Sequence, residues 1–344
     1  MKNKKVEYEP VQVVWETTLR CNLNCIHCGS VAGKARINEL STKEGLKLIK
    51  DLTKIGTKEL CFMGGEPFLR KDWFELAKET KNSGIKFLVI SNGYNINENI
   101  INKLVKIDPW AVSTSLDGAK AETHDYIRGR KGSFDKVMKY ISLSREADLP
   151  TTVITTVSKL NYKELPAIKD MLLNRFIAWQ IQLATPHGRF RKEYALSKRE
   201  FYEVGKLIAS FQKKYSRKEL PVIGAHCLGY HSKYIPCLGL YPEFNGCQAG
   251  ITILSIRSSG DVTGCLATQN EYIEGNIRKK SIIEIWNDPD AFSYNRKFKN
   301  QFLGDNCKNC EHSLICKGGC LGTSLGLTGK PFNNSYCFYQ IEKN

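Results

Sequence analysis

Cys21-Asn22-Leu23-Asn24-Cys25-Ile26-His27-Cys28 places three thiols in eight residues, with three and then two residues between them. A closed [4Fe–4S] cube takes four cysteine ligands. Three leave one iron free to bind something else, which suits catalysis better than storage of electrons. Short cysteine clusters also bind zinc, but a structural zinc wants four ligands. The nearby candidate, His27, adjoins Cys28 and is poorly placed to share one ion with it.

A second constellation lies towards the C-terminus. Cys247 is followed by twelve residues, Gly260, four residues and Cys265; Cys307, Cys310, Cys316 and Cys320 then come at intervals of two, five and three, and Cys337 follows after sixteen. Thirteen cysteines in 344 residues need a use. In a reducing compartment such groups read as metal sites rather than disulfides, and the odd number agrees, because a disulfide framework would leave one thiol over. The N-terminus Met1-Lys2-Asn3-Lys4-Lys5 is basic but leads into no apolar segment of the kind a secretory signal needs. No apolar run reaches the length of about 18 residues that a transmembrane helix takes. The expected location is therefore the cytoplasm.

The formal net charge is +16. Three loaded clusters would lower it to roughly +11. Such a charge suits an acidic peptide as well as RNA. Because Lys and Arg are spread along the whole chain, the plainer reading is a lysine-rich soluble surface, and a nucleic-acid partner is not expected.

The elements that must position these thiols are legible in the patterning. Short apolar runs at 11–18, 59–63, 86–91, 111–116, 151–158 and 178–183 predict strands. Between and after them helical periodicity predicts helices, the first opened by Ser41 as a cap with Glu44 three residues on. Six β–α units imply a parallel sheet with right-handed crossovers. Six strands are too few for an eight-stranded barrel, so the expected fold is α/β, a partial (β/α)6 TIM-like barrel open on one side. Chemistry in such folds lies at the C-terminal ends of the strands, and the thiol triad follows the first strand. After about residue 216 Pro, Gly and Cys become frequent and long helices stop. The expected organisation is a barrel over 1–216, a bridging region over 217–246 and a cysteine-rich domain over 247–344.

The chain resembles the radical SAM superfamily over nearly its whole length. Cys21, Cys25 and Cys28 match the family's cluster motif, with His27 at a position usually aromatic. The resemblance implies that the free iron is chelated by the amino and carboxylate groups of S-adenosylmethionine (SAM). Met63-Gly64-Gly65-Glu66-Pro67 matches the Gly-Gly-Glu-Pro motif that holds the methionyl amino group. Two glycines allow close backbone approach and positive φ, Glu66 offers an anionic acceptor for an ammonium, and Pro67 stiffens the turn. Ser91 and Asn92 end the third strand. Ser115 and Asp117, in a segment resembling the family's ribose- and carboxylate-contacting stretch, are candidates for the ribose hydroxyls. Arg128 is a candidate for the SAM carboxylate, and Gly188 stands where the family lays adenine against backbone.

The seven-cysteine order of the C-terminal part resembles the SPASM domain of radical SAM peptide maturases. It implies two auxiliary [4Fe–4S] clusters, three clusters in all. Cys307, Cys310, Cys316 and Cys337 hold one; Cys247, Cys265 and Cys320 hold the other. Its fourth ligand is expected at Cys237, with Cys227 or an open iron as alternatives. Cys61, within the second strand, reads as core.

The resemblance further implies reductive cleavage of SAM to a 5′-deoxyadenosyl radical and hydrogen abstraction from a ribosomally made peptide, giving a cross-link, an oxidation or an epimerisation. It implies a peptide partner, with an acidic leader suited to the positive charge, and an electron donor such as a flavodoxin or ferredoxin. About ten residues precede the first strand, so no N-terminal leader-binding domain is expected. Sulfatase-type protein side chains, small-molecule cofactors and haem precursors are the alternative substrates. An iron–sulfur electron carrier or a zinc-stabilised interaction protein is the non-enzymatic alternative, but a carrier has no need of Gly64-Gly65-Glu66 or of an open iron.

Overall fold

The computed structural model describes residues 8–175, 177–240, 243–268 and 270–343; the basic segment Met1–Lys5 lies outside them. Six strands, β1 (Gln12–Thr18), β2 (Glu59–Gly64), β3 (Lys86–Ser91), β4 (Ala111–Ser115), β5 (Thr151–Val157) and β6 (Ala178–Leu183), pair in sequence order and in parallel. Helices α1 (Thr42–Lys54), α2 (Trp73–Asn82), α3 (Glu98–Ile107), α4 (Ala121–Arg128), α5 (Ser133–Glu146), α6 (Leu165–Leu172) and α7 (Lys198–Lys214) complete the array. Helix α4 was not anticipated: its buried face is built from His124, Ile127 and Arg128, so no apolar stripe announces it.

Local chemistry sets these boundaries. Ser41 and Glu44 form a reciprocal capping box at the start of α1, as the spacing predicts, and Ser197 and Glu200 repeat it on α7. Alternate strand residues point outward into the helices. Trp15, Phe62, Phe87 and Val89 enter one core under α1–α3; Val153, Trp179 and Ile181 enter another under α6 and α7. The intervening residues, among them Met63, Ile90, Ser115, Thr156 and Gln182, face the concave side of the sheet.

The sheet is wider than six strands. β7 (Val222–Gly224) extends it in parallel beyond β6, and β8 (Ile253–Ile256) pairs in parallel with the opposite edge, β1. β9 (Asp261–Thr263) and β10 (Ile273–Asn276) continue antiparallel, giving the order β10-β9-β8-β1-β2-β3-β4-β5-β6-β7. Strands of three or four residues are too short to show alternation, which is why the sequence leaves them unread. The cysteine-rich part adds only short helices: α8 (Ile282–Asn287), α9 (Ser293–Arg296), α10 (Ser313–Cys316), α11 (Leu321–Thr328) and α12 (Phe338–Lys343). It is bound to the barrel by more than β8. Buried Glu16 accepts from Arg36 and from both the amide and hydroxyl of Ser258, and Arg278 reaches back to Glu44.

Candidate active site

The cysteine loop follows β1, and the loops after three other strands close on it. Gly65, after β2, lies so near the carbonyl of Arg20 that a Cβ would overlap it. Gly129, at the end of α4, does the same at Asn24, and Gly188, after β6, at Cys28 and Gly29. These glycines let one loop press against another; the freedom expected at Gly65 for approach to a ligand is spent on this contact. Gly64 does adopt positive φ, at 136°. Arginines fasten the loop from outside. Arg189 donates to the carbonyls of Cys25 and Ala32, each at 2.9 Å, and Arg130 to that of Asn22 at 2.6 Å. An arginine beside a loop glycine carries no sequence signal of such a role, so neither was anticipated.

Within the loop, the charges of Cys25 and Cys28 act on one another, as do those of Cys21 and Cys25. Burial pushes the Cys21 thiol up to about 11. Asn92 Nδ2 lies 3.6 Å from Cys21 Sγ and donates to Asn22 Oδ1 at 2.7 Å. Val31 holds φ 52°, a strained value for a β-branched residue; the turn it makes brings the Ala32 amide to 3.4 Å from Cys28 Sγ.

Beneath the loop lies a buried charge pair. Arg128 Nη2 stands 2.6 Å from Asp117 Oδ2, and Arg128 Nη1 3.7 Å from Cys25 Sγ. Asp117 also accepts from the Thr156 amide at 2.8 Å, and His27 Nε2 lies 3.6 Å from it. Burial drives His27 down to about 4, so its imidazole is neutral. Burial is the largest single influence and opposes the Asp117 charge, but Arg128 together with the neighbouring imidazoles and the Thr156 amide outweighs it and holds the carboxyl below its usual range. Asp117 is fully buried and paired with Arg128, which also faces Cys25; Asp117 Oδ2 and Arg128 Nε have no hydrogen-bond partner among the described residues. Ser115, at the end of β4, remains half-exposed.

Glu66 is 1 % exposed. It accepts from Ser91 Oγ at 2.9 Å, the Asn92 amide at 2.8 Å and the Phe68 amide at 3.3 Å. Burial outweighs these bonds and raises its carboxyl to about 7. Among the described residues no Lys, Arg or His pairs with it. A buried carboxylate lacking a counter-cation fits an incoming ammonium, and three thiols on a clamped loop fit a cluster with one open iron.

The C-terminal thiols fall into two groups. Cys307, Cys310, Cys316 and Cys337 act on one another's charge. In the other group Cys320 acts on Cys247, on Cys265 and on Cys227. Cys227, in the loop after β7, accepts from the Leu183 amide at 3.1 Å. Cys237, the expected fourth member, is not among the charges acting on that group; its sulfur lies beside Gly239. Of the two candidates for a fourth member, Cys227 is the one whose thiol lies within reach of the charge of Cys320. Among the described residues no three His, Cys, Asp or Glu side chains are close enough to hold a single metal ion.

Comparison with known proteins identifies the family. Residues 15–172 match the model of the radical SAM superfamily, and 247–311 that of the SPASM iron–sulfur cluster-binding domain. The chain is 31% identical to an AdoMet-dependent heme synthase of Methanosarcina barkeri, over 97% of this chain and 98% of that one. It is 28% identical to the mycofactocin maturase MftC of Mycolicibacterium smegmatis, over 94% and 81%. Among solved structures, SuiB of Streptococcus suis bound to S-adenosylmethionine superposes with a TM-score of 0.76 at 18% identity, over 96% of this chain and 77% of that one. The chain belongs to the radical SAM superfamily and carries a SPASM domain, which makes it an enzyme that uses [4Fe–4S] chemistry and SAM.

Proposed function

We propose that this enzyme modifies a ribosomally made peptide by abstracting hydrogen from an unactivated C–H bond. When bound, the first cluster and SAM supply an electron and a 5′-deoxyadenosyl radical. The residues that would hold them are Cys21, Cys25 and Cys28 for the cluster, Glu66 for the methionyl ammonium and Ser115 for the ribose. Arg128 neutralises charge gathering at Cys25, and Asp117 keeps that guanidinium in place. Cys227, Cys247, Cys265 and Cys320 would hold one auxiliary cluster and Cys307, Cys310, Cys316 and Cys337 the other.

The observation that carries the peptide reading is the concave face of the sheet. At the C-terminal ends of β2–β6 it presents Met63, Ile90, Ser115, Thr156 and Gln182, with Gln182 Nε2 donating to Thr156 Oγ1 at 2.9 Å. None is charged. Neutral hydroxyl and amide groups beside an apolar wall suit peptide amides and a side chain. The relatives that favour this reading are the mycofactocin maturases. The similarity to a heme synthase favours a second reading, an iron tetrapyrrole lying flat on Met63 and Ile90. Its carboxylates would need cations, and none of these five side chains is one; the Arg36 guanidinium on this side is held by Glu16 beside Met63. An electron donor such as a flavodoxin or ferredoxin, acidic against a chain of net charge +16, completes the proposal.

The test is anaerobic incubation with SAM, a reductant and either a short peptide encoded beside this gene or iron coproporphyrin. Peptide-dependent 5′-deoxyadenosine with a change in peptide mass, retention or stereochemistry supports the first reading. Turnover with the tetrapyrrole alone replaces it with the second.

A further inference from the structure

Tyr230 lies between the two groups of C-terminal thiols. Its ring packs on Phe244, with centroids 4.6 Å apart, and fills the space over Gly319 so closely that a Cβ there would overlap it. Gly319 belongs to the short segment from Cys316 to Cys320, which gives one thiol to each group. The Tyr230 hydroxyl accepts from the Cys320 amide at 3.1 Å and from Asn334 Nδ2 at 2.6 Å. Asn334 is itself buried; its backbone oxygen faces the Cys307 thiol and its side-chain oxygen accepts from the Tyr336 amide. The hydroxyl feels the charges of Cys320, Cys316 and Cys227.

A tyrosine hydroxyl has two acceptor positions and one proton. Both acceptor positions are filled, and among the described residues no oxygen or sulfur accepts the proton. The residue is 6 % exposed, so bulk water is not the natural partner. A buried donor left without an acceptor is costly, a cost the fold would bear if the acceptor arrives with a bound group. The sulfur of a cube held by Cys227, Cys247, Cys265 and Cys320 is such an acceptor.

We propose that Tyr230 is a positioning residue for that auxiliary cluster: it holds the Cys316–Cys320 segment with its ring and donates its hydroxyl proton to cluster sulfur, raising that cluster's reduction potential above the value the thiolates alone would set. Hydrogen bonds to sulfur favour the reduced, more negative state. The inference rests on the proposed ligand sets. It adds that the two auxiliary clusters differ, the one at Cys320 being the better electron acceptor.

The test is a redox titration followed by electron paramagnetic resonance on the full, anaerobically reconstituted chain. The signal of interest is the one missing from Cys265→Ala. Tyr230→Phe keeps the ring and removes the proton, and is expected to retain iron content and shift that signal's midpoint to a more negative value while the other signals stay. Replacement of Tyr230 by 3-fluorotyrosine, a stronger donor of the same shape, is expected to shift it the opposite way; this arm decides the matter should the phenylalanine variant lose its cluster. Unchanged midpoint in the fluorotyrosine protein, with the signal present, overturns the role of Tyr230. If no signal depends on Cys265, the ligand assignment itself fails and the inference falls with it.

Discussion

At Cys25 a buried guanidinium, that of Arg128, stands against the thiol. At Cys247, Cys265 and Cys316 the groups that favour the thiolate are backbone amides, contributed by Leu321 and Ala249, by Ala267 and by Gly319. Burial opposes the thiolate in both regions, pushing Cys21 and Cys247 alike up to about 11. The relief at Cys25 differs in kind from that at the C-terminal thiols, whereas Cys21 shares their device through the Leu23 amide. The N-terminal site borrows a full positive charge, itself anchored by Asp117 inside the barrel. The C-terminal groups use peptide dipoles in turns and short helices. A site that must accept an outside ligand on an open corner is built on the rigid array and clamped by three other loops. On the proposed ligand sets the C-terminal groups close on themselves and need only the turns that carry the cysteines; a bound cluster would supply much of their cohesion.

The contrast can be broken most forcefully at the C-terminal end. Cys227→Ala should cost one auxiliary cluster, seen as loss of about four irons per chain, whereas Cys237→Ala should keep full iron. The reverse result would restore Cys237 as the ligand. Next in size is the borrowed charge. Arg128→Met strands Asp117 in the interior, a change expected to destabilise by about 3–5 kcal/mol and to be read as a fall in the thermal midpoint. Arg128→Met combined with Asp117→Asn should recover part of that loss; no recovery would show that the pair is not the source.

A smaller effect is expected where loops touch. Gly188→Ala must hold φ near 57° and overlaps the carbonyls of Cys28 and Gly29, at about 1–3 kcal/mol. It should weaken SAM binding and leave the auxiliary signals alone. Gly132→Ala is the control, since Gly132 also has positive φ but nothing within 4 Å of a Cβ. Equal effects at the two positions would attribute the change to backbone strain rather than collision. The mildest expectation concerns pH. Glu66 titrates near 7 because burial raises it; it is neutral below and anionic above. An ammonium prefers the anion, so SAM should bind several-fold more tightly as pH rises through about 7. Without ligand the same shift makes the fold lose stability between about 4.5 and about 7 as pH rises. Glu66→Gln should flatten both profiles.

Much of this was readable before any coordinates. The long apolar runs of β1–β6 and the Ser41 and Glu44 cap announce themselves because burial against helices demands strict alternation and helix starts demand side-chain oxygens. The cysteine clusters of both regions, Cys227 apart, are visible in their spacing. What was hidden depended on distance in the fold. Cys227 comes within reach of Cys320 because three-residue β7 places its loop beside the end of β6. Asp117 and Arg128 are eleven positions apart, and only α4, whose inward face is polar, turns one onto the other. Arg189 and Tyr230 act through contacts 164 and 90 residues away, which no local pattern encodes.

The central claim is that the cluster at Cys21, Cys25 and Cys28 has an open iron where SAM is cleaved. The most direct measurement is 5′-deoxyadenosine formed by reduced, reconstituted protein, compared between the parent chain and Cys25→Ala. The account predicts product from the parent and none above background from the variant, with the auxiliary signals intact in both. Cleavage by Cys25→Ala at the parent's rate would contradict it.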